Sequence, residues 1–182
     1  MHSGAQLSPC RRYRYALWRH WGESDPEDSS RSVAFIGLNP STADETEDDP
    51  TVRRCIGYAR DWGYDGVVLL NLFAYRATSP ADMKAQEDPI GFKNNAALLQ
   101  RAQDVGRVIA AWGTHGAYRG RGEAVAALMA RAGIPLYALK VTRDGHPGHP
   151  LYLRRDQKPF EWRPGLSSSA TPASEEVHPE WR

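Results

Sequence analysis

Four short apolar runs constrain this chain more than any other feature: "SVAFIGL" (32–38), "GVVLLNLF" (66–73), "RVIAAWG" (107–113) and "IPLYALKV" (134–141). They are rich in Val, Ile and Leu and do not alternate with polar residues, as strands buried on both faces of a parallel sheet do not. The segments between them have helical signals. "DPTVRRCIGYARDWG" has Asp49 and Pro50 at its start, Val52, Ile56 and Ala59 on one face and Gly63 at its end. "PIGFKNNAALLQRAQD" and "RGEAVAALMARAG" read the same way. Alternating strands and helices predict an α/β fold, a three-layer α/β/α sandwich around a central, mainly parallel four-stranded sheet. Near the N-terminus Tyr13, Tyr15 and Leu17 alternate with Arg12, Arg14 and Ala16, which predicts an added antiparallel edge strand.

With 182 residues, 41% of them hydrophobic, the chain has enough material for one core. We read a single domain over 1–163 and a disordered tail over 164–182, where Ser, Pro and Glu offer little to bury. No apolar run approaches the ~20 residues of a membrane span, so a cytoplasmic protein is expected. Cys10 and Cys55 stand alone, which argues against a disulfide framework or a thiolate metal site. The His146/His149 and Glu45/Asp48/Asp49 groups do not have convincing metal-ligand spacing, so neither metal nor cofactor is expected.

Net charge is +1, from 23 basic and 22 acidic side chains. The distribution is uneven: acids pool at 23–28 and 44–49, bases at 11–20 and 140–163. If the basic segments met on one face, they would suit a phosphate backbone.

In open α/β sheets ligands bind beyond the carboxyl ends of the strands. There this sequence places Gly37, Leu38, Asn39, Pro40 and Ser41 after the first run, Asn71 in the second, Trp112 and His115 after the third, and His146 and His149 after the fourth. Amides, histidines and aromatic rings converging on one pocket suit a planar ligand with donors and acceptors on its edge, such as a nucleobase.

The strings "GLNPS", "VVLLNLFAYRA", "VIAAWGTHG" and "HPLYL", in this order, resemble the motifs of the uracil-DNA glycosylase superfamily over about residues 33 to 155. The longer strings "GLNPSTADETEDDPTVRRC" and "NLFAYRATSP" resemble a bacterial and phage family of unknown function, DUF1643. The superfamily resemblance implies a glycosylase-like fold and a role for each matching position. Asn39 would place the hydrolytic water, Asn71 would hydrogen-bond the edge of an extruded base, and His149 would stabilise charge on the leaving base, with His146 competing for that alignment. Asn cannot be a general base, so Asp44 or Asp49 is a candidate for that role.

Ser41, where some members carry a Tyr, leaves room at the C5 position of a pyrimidine. Phe73 and Tyr75 are candidates to stack on the base. Leu151 or Tyr152 would wedge into DNA, while Arg154, Arg155 and Lys158 would hold phosphates. The expected protein is therefore a monomeric DNA glycosylase-like hydrolase acting on uracil or a 5-substituted pyrimidine. Alternatives are a non-catalytic nucleobase or nucleic-acid binder and an enzyme acting on free nucleotides. The acidic stretch 44–49 keeps the last open, because acids beside a DNA groove would repel phosphate.

Overall fold

The structure, a computed structural model, describes residues 1–165. Seven strands form one mixed sheet: β1 (His2–Leu7), β2 (Arg14–His20), β3 (Ser32–Gly37), β4 (Gly66–Asn71), β5 (Arg107–Ala110), β6 (Leu136–Ala138) and β7 (Phe160–Glu161). Their order is β1-β2-β4-β3-β5-β6-β7. The four apolar runs are its parallel centre, with β3 between β4 and β5 and β6 beyond β5. All six residues of β4 are buried, as are five of the six of β3.

Alternate residues of these strands enter two separate cores. Val33, Phe35, Val67, Leu69 and Ile109 pack with Val52, Cys55, Tyr58 and Ala59 of helix α1 (Pro50–Asp61). Ala34, Ile36, Val68, Leu70 and Val108 pack with Leu98 and Ala102 of α3 (Asn94–Asp104) and Val125 and Met129 of α4 (Arg121–Arg131). A short helix, α2 (Pro80–Lys84), follows β4. The inward face of α1 differs in detail from the expected one: Cys55 and Tyr58 are buried, and Ile56 is only half-buried.

The N-terminal strand is not an edge. β2 pairs antiparallel with β4 on one side and with β1 on the other, so the expected single edge strand is one arm of a hairpin. The pairing depends on Gly4, because a Cβ there would stand 2.4 Å from the Trp18 ring on the facing strand. The polar sequence of β1 hides it from an apolar-run reading. β7 pairs antiparallel with β6 at the opposite edge. The sheet therefore has seven strands and mixed direction where four parallel strands and one addition were expected.

Of the tail read as disordered, Pro164 and Gly165 form a turn and the remainder lies outside the described residues. Among the described residues no helix is long and apolar enough to cross a membrane.

Candidate functional site

β3 lies where the strand order reverses: the chain passes from β3 to β4 on one side, then returns to β5 on the other. Loops leaving strands at such a point diverge and open a crevice. A cavity of about 770 Å³ opens at this end of the sheet, walled by residues from all four parallel-strand loops and from the start of α1. Phe35, Cys55 and Leu69, all buried, contribute to the wall from the sheet and α1.

Most of the residues expected from the sequence reach this cavity. Gly37, Leu38, Asn39, Ser41, Asn71, Trp112, His149, Leu151, Tyr152 and Asp49 line it. Pro40 is buried behind it, where its carbonyl accepts the Ala77 N–H. Gly37 lets the strands approach closely: an added Cβ would stand 3.1 Å from Oδ1 of Asn71 on the adjacent strand, a tight contact. Asn71 is 5% exposed, and its Nδ2 has no hydrogen-bond partner among the described residues. Its main-chain carbonyl is held by Nδ2 of Asn94, 3.0 Å away, so the backbone is fixed while the side-chain amide keeps a spare donor. Asn39 differs: its Nδ2 donates to the carbonyls of Ala77 at 2.9 Å and Pro40 at 3.1 Å. Those bonds orient the amide and leave Oδ1 as an acceptor.

His149 precedes a short 3-10 turn, Pro150–Tyr152, and its Nδ1 accepts the Leu151 N–H at 3.3 Å. That bond assigns the ring proton to Nε2. Burial pushes the imidazole below its ordinary pKa of 6.5, with the charge of Asp49 opposing, so the neutral donor form prevails at neutral pH. His146 does not line the cavity; its backbone closes a turn with Thr142. The loop bearing His149 is tied to α1, through Arg54 to the Leu153 carbonyl and the Tyr58 hydroxyl to the Arg154 carbonyl at 2.7 Å.

The acidic loop divides into different roles. Asp49 caps α1, one oxygen accepting the Val52 N–H at 2.9 Å, and it is the one acid on the cavity wall. Asp44 is turned away from the cavity to accept the N–H groups of Thr46 and Glu47, and those bonds hold its carboxyl below the usual range. Glu45 pairs through two bonds with Arg11, and Asp48 pairs with Arg19. Within the basic segment 11–20, Arg11 and Arg19 hold the acidic loop, while Arg14 lines the cavity together with Lys140 of segment 140–163.

Phe73 and Tyr75 do not line the cavity. Phe73 is core, packed against Tyr118 with ring centres 5.8 Å apart, and Tyr75 is edge-on to Tyr13 beside β2. The aromatic groups on the wall are Phe35, Trp112, His115, His149 and Tyr152. Leu151 and Tyr152 are exposed at the rim, Tyr152 almost fully. Arg154 and Arg155 are exposed as well, but each is paired, with Asp156 at 2.8 Å and Asp61 at 2.9 Å. Lys158 is exposed. The wall's two cations, Arg14 and Lys140, come one from each of the basic segments 11–20 and 140–163, though neither was singled out as a site residue by the sequence pattern. Among the described residues, no group of three or more His, Cys, Asp or Glu side chains could hold a metal ion.

Fold and site together define an α/β protein with a cavity at the carboxyl ends of its parallel strands. Residues 14–151 match the family described as protein of unknown function (DUF1643), and the chain belongs to that family. No curated protein and no solved structure matches it.

Proposed function

We propose that the cavity receives a nucleobase extruded from DNA and that the protein hydrolyses its N-glycosidic bond, as a glycosylase-like enzyme of α/β/α sandwich type. The observation that carries this reading is the spare Nδ2 donor of Asn71, buried on the wall of the same cavity as Asn39, Asp49 and His149. An unpaired buried amide costs roughly 1–3 kcal/mol, and a ligand that accepts from it recovers that cost.

In this reading Asn71 donates to the base edge. The C1′–N bond breaks with its electron pair leaving on the base, where Nε2–H of His149 hydrogen-bonds the developing charge. Oδ1 of Asn39 orients a water whose oxygen bonds to C1′, and the free oxygen of Asp49 accepts the proton. Leu151 and Tyr152 at the rim fit the wedge that fills the vacated stack, and Arg154, Arg155 and Lys158 lie beyond them for phosphates once their ion pairs open. The acids do not weigh against DNA as the sequence alone suggested, because three of them bind Arg11, Arg19 or the backbone instead of facing the cavity. Room beside Ser41 favours uracil or a 5-substituted pyrimidine.

The test is incubation of the protein with oligonucleotides carrying a panel of modified pyrimidines, single- and double-stranded, followed by alkali. Cleavage at one modified base, lost in Asn39→Ala and Asn71→Ala, is expected. No abasic product from any substrate would defeat the hydrolase reading, and a tight complex holding intact DNA would identify a binding protein.

A further inference from the structure

Among the described residues three arginines are buried, and one of them is underused. Arg19 donates from Nε to Asp48 and from its terminal nitrogens to the carbonyls of Trp18, Asp44 and Glu47. Arg121 donates to the Leu72 carbonyl and to Oδ1 of Asn95. Arg14, 3% exposed, makes one side-chain hydrogen bond, from Nη1 to the Ala43 carbonyl at 2.9 Å. Its Nε is buried without a partner, and it has no ion pair among the described residues. It also lines the cavity.

A guanidinium carries five donors, and burying it with most of them idle is expensive unless an anion completes it. Burial lowers Arg14 to about 10, with Asp49 opposing, so it is still a cation at neutral pH. The wall around it has a matching bias: Arg14 and Lys140 against the single acid Asp49, with the N-terminus of the twelve-residue helix α1 on the same side. The Ala43 carbonyl that holds Arg14 is two residues from Ser41, so the cation lies under the loop that leaves room beside a bound pyrimidine.

We propose that Arg14 is the anion-recognising group of this cavity and that the ligand is a pyrimidine bearing a carboxylate, seated against Arg14 beneath the Ser41–Ala43 loop. This rests on the nucleobase reading of the cavity. A substituent on the base fits better than a backbone phosphate, because Arg14 is 3% exposed and held by the Ala43 carbonyl, and is not at the exposed rim with Tyr152. Arg14 orients the ligand by charge and Asn71 by its amide, two fixed points that set the ring's rotation in the pocket.

The test is calorimetric titration of the full chain with uracil, uracil-5-carboxylate and uracil-5-carboxamide, the last two alike in shape and different in charge. The carboxylate is expected to bind about tenfold tighter than the carboxamide or better, as a charge-assisted hydrogen bond replaces a neutral one. Arg14→Met should erase that difference and Arg14→Lys keep part of it, with thermal melting to confirm folding. Equal affinities in the unmodified protein, or a preference that survives Arg14→Met, would overturn the role of Arg14 while leaving the base pocket standing. If none of the three binds, the nucleobase reading itself fails and this inference with it. The wild-type comparison needs no variant to fold.

Discussion

Arg19 and Asp48 form an ion pair across the junction of β2 and the loop that leads into α1, Nε to Oδ1 at 2.9 Å, with the guanidinium 1% exposed. The same guanidinium binds the carbonyls of Asp44 and Glu47, so one side chain of the N-terminal hairpin fastens the whole acidic loop. Asp49, at the end of that loop, is thereby fixed as both helix cap and cavity wall. Among the acids at 44–49, Asp48 pairs with Arg19 of β2, Glu45 pairs with Arg11 just ahead of it, Asp44 binds the backbone of its own turn, and Asp49 faces the cavity.

Arg19→Met should therefore destabilise the protein by about 2–4 kcal/mol, because it leaves Asp48 and several loop carbonyls without their donor. Urea unfolding measures this. Glu45→Gln, at an exposed pair with Arg11, should leave the melting temperature unchanged. Comparable losses in both variants would contradict this division of the loop.

Asn71→Leu should separate function from stability. Replacing an amide with a buried, unpaired Nδ2 by an apolar group of similar size should be neutral or stabilising by about 1 kcal/mol, while base binding is lost. Denaturant midpoints and ligand titration on the same preparation check both halves. A large loss of stability would mean that the amide has a structural partner.

Titration of His149 gives a pH signature. Burial holds its folded pKa below the unfolded value of 6.5, so the unfolded chain binds the extra proton first as pH falls. Its contribution to stability is full above 6.5 and is lost as pH drops from 6.5 through the folded pKa. His149→Gln should flatten that part of the stability–pH curve. An NMR titration of His149 with a midpoint above 6.5 would reverse the sign of the argument.

The two thiols should react very differently. Cys10 is exposed and lowered to about 7, chiefly by the hydrogen bond from the Ser8 hydroxyl and then by the Arg12 backbone N–H. Cys55 is buried in the core under the cavity, and burial pushes its thiol far up. At neutral pH a thiol reagent should modify one cysteine quickly, with peptide mapping locating it at Cys10, and reach Cys55 only on unfolding.

Much of the architecture was legible because strands buried on both faces must be apolar throughout, so β3, β4 and β5 stand out as Val-, Ile- and Leu-rich runs. α1 could be placed from Asp49 and Pro50 alone, since its cap and first turn are local chemistry. The hairpin of β1 and β2 was half hidden: β1 has few apolar residues, and its pairing rests on Gly4 making room for Trp18. Phe73 and Tyr75 were misjudged as cavity residues because position after a strand says nothing of which way a side chain turns. Phe73 turns into the core and Tyr75 toward β2.

By itself the sequence determined the local features: which segments are buried strands, where α1 begins, and that Asn39, Asn71 and His149 fall in or after strands that share a direction. Tertiary structure alone decided which charges neutralise one another. Arg11 meets Glu45 and Arg19 meets Asp48 across about thirty residues of chain, and Arg14 is left short of partners on the cavity wall. Pairing of that kind depends on distances of a few ångströms between segments remote in sequence, and those are set only when β2 packs beside β4.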